Sequence, residues 1–470
     1  MKTPVIGLLP LYVRLYDEVL PNLIDELRPF LSEVSAALVS IGANVIESPV
    51  CRIADEVEDA VRKFESGGAH VIVTLHLAYS PSLEAANALA KCPLPILMLD
   101  TTPDVSFGPD VDPLRLLYNH GIHGVQDLSC MLRRIGKPYS VVAGHLSDPR
   151  TMSRVESVVR GAHAAACFRN MRILRIGPSF TGMGDFYVTE GRLREAFNQE
   201  IVQISTEDLA ESVQNVSIEE IETELRQDQT AFDVDLDEAV HRRSVRLGLG
   251  VRQYLDRGGF GAFSMNFLAF GYADGPLSTV PFLECSKAMA RGIGYAGEGD
   301  VLTAALVAAM VKAMGPATFT EMFCPDWNGD TLFLSHMGEF NPAMSAGRPR
   351  LYEKPFPFTR TQNPAAIACA PRPGLATLVN ISPGSNDTFR ILYSPVEVLE
   401  DGNHPDFRDW IRGWIKPRVP VSRFLEAYSL CGGTHHCCLV QGDVCTAIQA
   451  FAEALGLEAV RVDAQGGYCD

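Results

Sequence analysis

No apolar run in this 470-residue chain approaches the ~20 residues that a bilayer span needs. The longest, VLTAALVAAMVKAM (Val301–Met314), is shorter and carries Lys312. Positive charge is also scarce. The 40 Lys and Arg are outnumbered by 57 Asp and Glu, giving a net charge of −17. Nucleic acid and anionic membranes demand clustered cations, so neither is expected as a partner. A small neutral substrate remains compatible. The start, MKTPVIGLLPLYVRLYDEVL, lacks the basic flank and small-residue cleavage site of a signal peptide and reads as a buried first strand. Twelve cysteines form no Cys-x-x-Cys, and in a long chain without a secretion signal they imply reduced thiols and a cytoplasmic setting. A G-x-x-x-x-G-K-[ST] loop is missing, as is a dinucleotide fingerprint after the first strand, so no nucleotide cofactor is expected.

What is present is 47% hydrophobic and long enough for several cores. Up to about residue 145, short apolar runs such as VIGLLP, HVIVTLHL and PILMLD alternate with amphipathic stretches. That alternation predicts an α/β domain with a parallel sheet covered on both faces. The helical pattern after the first strand contains Pro29, which is expected to kink or split it. MRILRIG (Met171–Gly177) opens a second α/β region, and the acidic segment Ser205–Val240 reads as surface helices. From about Asp326 the texture becomes proline-rich, with short strands split by turns such as SPGSND, as in an antiparallel sheet or small barrel. The expected fold is thus two open doubly wound parallel-sheet domains (1–170 and 171–325) followed by a C-terminal antiparallel β-rich, barrel-like domain (326–470).

Three stretches could carry chemistry. In GIGYAGEGDVLTAAL (Gly292–Leu306), glycines flank Glu298 ahead of an apolar helix for which Asp300 is the expected N-cap. In TFTEMFCPDWNGDTLFLSHMGEF (Thr318–Phe340), Glu321 lies among apolar neighbours that should raise its pKa, and His336 ends a strand. In LCGGTHHCCLV (Leu430–Val440), the Cys and His spacings fit neither zinc knuckle nor redox motif. Its cysteines are therefore read as small buried hydrophobes. His435 and His436 should face opposite sides of an extended chain, so one of them needs metal partners from elsewhere. Glu298, Glu321 and His336 are the candidates, and two carboxylates with two imidazoles would suit Mn²⁺, Fe²⁺, Co²⁺ or Zn²⁺.

YAGEGDVLTAAL, FTEMF…LSHM and GGTHH, together with YNHGIHG, VVAGH and FSMNF, run in the order seen in the L-arabinose isomerase family, within the L-fucose/L-arabinose isomerase superfamily. The chain resembles a divergent member. The resemblance implies Glu298, Glu321, His336 and His436 as ligands of a divalent metal, manganese foremost, with Glu298 and Glu321 also the acid/base pair. It implies an aldose–ketose isomerase acting on a pentose, deoxyhexose or related sugar through an enediolate. It further implies a homotrimer or homohexamer with the active site between subunits, His123 reaching in from a neighbour, and Phe267 and Met183 lining the sugar pocket. His435 is a candidate for holding a sugar hydroxyl, and Glu321 is assigned as the base. Where arabinose-specific members carry a Ser-Gln-x-Leu-Tyr-Gly-like loop this chain reads LLPLYVRLYDE, and where they have Asn-Gln it has Asn119-His120. The metal chemistry therefore carries over further than the substrate. A metal-dependent epimerase or lyase on a modified sugar or sugar acid, and a non-catalytic sugar-binding protein on the same fold, are the rival readings.

Overall fold

The computed structural model describes residues 3–385 and 388–463. These fall into two compact units, one built on residues up to 166 with the stretch 446–456, the other on residues 167–445 with those from 457 onward.

The first unit holds strands β1 (Val5–Leu11), β2 (Asn44–Glu47), β3 (Val71–His76), β4 (Ile96–Asp100) and β5 (Ser140–Ala143), all parallel, in the order β2-β1-β3-β4-β5. β3 is buried at every position because apolar clusters cover both faces, which explains its unbroken VIVTLH run. The helix Leu23–Ser40 passes through Pro29 without being split. A proline inside a helix costs ~3 kcal/mol. Burial of Leu27, Phe30, Leu31, Val34 and Leu38 at ~1.5–3 kcal/mol each outweighs it. Late in the chain, Glu453 returns to this unit and accepts from the Ser140 hydroxyl at 2.9 Å.

The second unit contains β6 (Arg172–Ile176), β7 (Glu200–Ile204), β8 (Asp233–Asp235), β9 (Ala262–Met265) and β10 (Gly294–Ala296). Four of these form a parallel sheet ordered β10-β9-β6-β7. Then follow β11 (Ala317–Asp326), β12 (Thr331–Ser335), β13 (Arg350–Glu353), β14 (Ala365–Ala368), β15 (Gly374–Pro383), β16 (Phe389–Val398), β17 (Gly413–Pro417), β18 (His436–Gln441) and β19 (Glu458–Arg461). The small sheet β14-β13-β8 stands apart. The antiparallel order β15-β18-β11-β12-β17-β16 closes on itself through β15–β16 pairing, making a six-stranded barrel to which β19 adds in parallel. Closure removes the free edges that β-rich sequences must otherwise protect. The expected turn SPGSND extends onto residues 386 and 387, which lie outside the described residues.

Helix Val301–Ala313 is buried continuously from Val301 to Met310 and again at Ala313. It packs against β9 and β10 and against barrel strands β11 and β18, and a helix apolar all round requires such double cover. The acidic segment forms helices as expected, one with a Ser217/Glu220 capping box. Its inner face, however, buries Glu224 and Asp228 in ion pairs with Arg252 and Lys287. Among the described residues no helix is long and apolar enough to cross a membrane.

Candidate metal centre and active site

Two local devices aim the carboxylates. After β10 the chain turns through Gly297-Glu298-Gly299 into the buried helix, with Glu298 itself at φ +55°. Left-handed backbone at a bulky residue stores strain, and it persists where the surroundings fix it. Here the Ser264 hydroxyl donates to the carbonyls of Ala296 and Gly297 at 2.7 and 3.0 Å, and Phe180 N–H donates to the Glu298 carbonyl at 2.8 Å. Gly299 has φ +87°, and a Cβ there would lie 2.6 Å from Ser179 Cα. In the barrel, strand register does the work. Glu321 on β11 pairs with His436 on β18 and with Ser335 on β12, directly before His336. Side chains opposite each other on neighbouring strands sit ~5 Å apart, so pairing brings Glu321 and His436 together, while His336 joins them from the first residue past the end of β12.

One ligand atom from each of Glu298, Glu321, His336 and His436 lies within 4.8 Å of the other three. His436 Nε2 is 2.8 Å from Glu298 Oε2 and 3.1 Å from Glu321 Oε1; His336 Nε2 is 3.4 Å from Glu321 Oε1 and 3.8 Å from Glu298 Oε1. Ligand atoms ~2.1 Å from one ion are about 3 Å apart when adjacent and about 4 Å when opposite. The donor set and its spacing fit a divalent cation. Each histidine also has its other ring nitrogen tied down. His436 Nδ1 donates to Asp300 at 2.9 Å, and His336 Nδ1 donates to Glu339 at 2.7 Å. Glu339 also accepts from Tyr295 OH at 2.7 Å. Such outer carboxylates fix ring orientation and leave both Nε2 lone pairs for a metal. Asp300 does two jobs, because its other oxygen caps the helix by accepting from Thr303 N–H, the role expected for it.

Charge in the cluster is balanced by imidazoles. Burial works to raise Glu298 and Glu321, but hydrogen bonds and charge from His336 and His436 hold both below the usual carboxylate range. The expectation that apolar neighbours raise Glu321 is therefore corrected. Its carboxylate faces two imidazoles, not the apolar side chains adjacent in sequence. Conversely, burial works to lower the histidines, yet Glu339 and Glu321 push His336 well above its ordinary value, and Asp300, Glu298 and Glu321 do the same to His436.

The expectation that His435 and His436 face opposite sides is corrected: His435 lies just before β18 begins, outside the strand's alternation, and its half-exposed ring sits 4.2 Å from that of His436, on the same side of the chain. Its backbone N–H and Nδ1 both donate to Asp185, at 2.9 and 2.7 Å, and its Nε2 stands 3.9 Å from Glu321 Oε1. Phe186 stacks on the His436 ring at 4.8 Å, and Phe319 meets both His336 and His436 edge-on. Met183 sits on the same loop as Phe180, Asp185 and Phe186. Phe267 joins an aromatic group with Phe180, Phe356 and Phe358. His123 belongs to the other unit, exposed near the start of helix Ile122–Arg134. Cys437 and Cys438 are fully buried in β18, where burial raises both thiols, Cys437 to about 12, and neither belongs to the four-residue cluster. Glu339 and Asp185 escape sequence reasoning. Their only signals are a carboxylate three residues after His336 and the turn TGMGDF.

Comparison with known proteins then decides the lineage. The L-arabinose isomerase central-domain model matches residues 172–317, and the L-arabinose isomerase C-terminal-domain model matches residues 316–458. The chain belongs to the L-arabinose isomerase family. Among curated relatives, the L-arabinose isomerase of Mycolicibacterium smegmatis is 29% identical, aligned over 96% of this chain and 91% of its own length. That of Anoxybacillus flavithermus is also 29% identical, over 84% and 80%, and that of Nocardioides sp. is 26% identical, over 94% and 91%. A sugar-binding protein of Actinobacillus succinogenes transport aligns with 66% of the chain, but 11% identity and a TM-score of 0.18 carry no weight.

Proposed function

We propose that this family member is a divalent-metal-dependent aldose–ketose isomerase, acting on a pentose, deoxyhexose or related sugar. The observation that carries this reading is the convergence of Glu298, Glu321, His336 and His436, each histidine backed by its own carboxylate, in a chain of this family.

Aldose–ketose isomerisation moves a proton between C1 and C2, and the C–H bond concerned is a very weak acid. A bound divalent cation, manganese foremost, supplies stabilisation of the negative charge that develops on the two sugar oxygens. The protein supplies the rest. Glu321, the more open of the two carboxylates at 17% side-chain exposure against 6% for Glu298, is the base that takes the C2 proton and returns it to C1. It is held ionised at neutral pH, the form that accepts a proton. Glu298, gripped by His436, exchanges protons with the sugar oxygens. Phe186 and Phe319 wall the cluster from water, which strengthens every charge interaction inside it. We place Met183, Phe267 and His435 around the sugar, and read the assembly as a homotrimer or homohexamer in which His123 completes a neighbour's site.

The test is a panel of aldoses and ketoses, L-arabinose and L-fucose included, incubated with Mn²⁺ in D₂O and followed by NMR. Isomerisation yields the partner ketose or aldose with one deuterium at C1 or C2. Deuterium at a single stereocentre without carbonyl migration would indicate an epimerase, and metal-free turnover would remove the reading.

A further inference from the structure

Three histidines near the site share one device, an Nδ1 donating to a carboxylate. In two of them, His336 and His436, the ring is buried and Nε2 faces the metal cluster. The third, His435, is 41% exposed in its side chain, and its Nε2 stands 3.9 Å from Glu321 Oε1. Asp185 grips it twice through one oxygen, from the backbone N–H and from Nδ1. The loop that supplies Asp185 is itself tied to the site by the Phe186 stack on His436 and by the Phe180 N–H on the Glu298 carbonyl.

We propose that Asp185 is a positioning residue that fixes His435 with Nε2 as the acceptor for one substrate hydroxyl, and so makes that hydroxyl a requirement of the site. An ionised carboxylate only accepts, so Nδ1 must carry the hydrogen, and in the neutral ring Nε2 then presents a lone pair. Burial works to raise the Asp185 carboxyl, but its hydrogen bonds from His435 pull it down to about 2, which keeps it an acceptor. The 3.9 Å between His435 Nε2 and Glu321 Oε1 is too long for a bond. It is wide enough for one hydroxyl oxygen to sit ~2.8 Å from both. A site built to pair with a hydroxyl rejects the analogue lacking it far more strongly than an apolar pocket rejects an extra methylene. The part of this inference that concerns the sugar rests on the isomerase reading; the part that concerns the ring does not.

The experiment has two arms. In the first, protein labelled with ¹⁵N-histidine is examined by long-range ¹H–¹⁵N correlation, with His435 assigned by its loss in His435→Gln. Wild type should show the Nδ1–H form, and Asp185→Ala should move His435 toward the Nε2–H form. An unchanged tautomer overturns the proposal whether or not the protein turns over sugar. In the second, the panel aldose with the highest kcat/KM is compared with its monodeoxy analogues. Wild type should lose about a hundredfold in kcat/KM on one analogue, and Asp185→Ala should lose about as much on the parent sugar yet discriminate little further. Asp185→Glu should recover part of the rate. Mn²⁺ affinity should stay within about threefold throughout. A variant that keeps wild-type discrimination, or that loses metal in proportion to rate, contradicts the positioning role. If wild type turns over no aldose, the isomerase reading fails, and the tautomer arm still decides what Asp185 does.

Discussion

The second unit holds two buried charged clusters of opposite construction. In one, Glu224, Asp228 and Glu284 are paired with Arg252, Lys287 and Arg291, and His241 donates to Asp228 at 2.9 Å. Its positive charges are covalently part of the protein, so it is complete as folded. In the other, Glu298, Glu321, Asp300 and Glu339 form their ion pairs with His336 and His436, groups that can surrender their protons. The first cluster ties helices together. The second leaves carboxylates whose natural counter-charge is an exchangeable cation. Both clusters bury carboxylates, so buried charge by itself does not mark a functional site; the permanence of the counter-charge does.

The sharpest way to break this contrast is to neutralise one carboxylate in each cluster. Glu321→Gln should lower kcat about a thousandfold or more while leaving the fold and thermal midpoint of the metal-free protein near wild type, since general-base and metal contributions vanish together. Glu284→Gln should do the reverse. With Arg252 and Arg291 left short of a buried partner, stability should fall by about 3–5 kcal/mol in denaturant titrations, with kcat of the surviving folded fraction largely kept. Next in size, Glu339→Gln and Asp300→Asn should weaken Mn²⁺ binding about 10–100-fold by calorimetry, because each frees an imidazole to turn or change tautomer. Asp300→Ala should in addition lower the thermal midpoint, at a cost of about 1 kcal/mol of stability, through loss of the cap, which Asp300→Asn keeps.

Acidity separates the clusters too. Burial works to raise Glu224, but Arg252 and Lys287 hold it down to about 2. A depressed carboxylate stabilises the fold above its unfolded pKa, so this contribution, on the order of 3 kcal/mol, is present above about pH 4.5 and lost as pH falls toward 2. His336 and His436 behave oppositely. Their values are raised in the metal-free protein, so their proton-linked stabilisation is present at low pH and lost as pH climbs through the raised values. An entering cation must displace those protons, so Mn²⁺ affinity should rise with pH, with proton release visible as buffer-dependent binding enthalpy. Smallest of all, Cys437→Ala and Cys438→Ala should leave Mn²⁺ affinity unchanged and cost about 1 kcal/mol of stability each, the behaviour of buried apolar groups.

The same contrast explains what could be read in the sequence. Features set by local pattern were legible. The apolar runs of β1, β3 and β4, the all-apolar helix Val301–Ala313 and the Asp300 cap each declare themselves within a few residues. The small-hydrophobe role of Cys437 and Cys438 followed from spacing, whereas Cys431 in the same stretch, being disulfide-bonded, corrects the expectation of reduced thiols. What depends on pairing between distant strands was not legible from pattern. Glu321 looked apolar in its own strand, yet β18 brings His436 opposite it and reverses the direction of its shift. Glu339 and Asp185 act on rings that sequence distance or loop geometry hides. Pro29 does not split its helix because a breaker in one dimension is overruled by the apolar face on which the helix lies.

The central claim is that four side chains from β11, β18, the end of β12 and the turn before Val301 hold one divalent ion. A crystal grown with Mn²⁺ and measured for anomalous scattering tests it directly. The account predicts one strong peak per chain, ~2.1 Å from Nε2 of His336 and of His436 and from an oxygen of each of Glu298 and Glu321. A fully occupied peak elsewhere, or none between those four groups at saturating Mn²⁺, would contradict it.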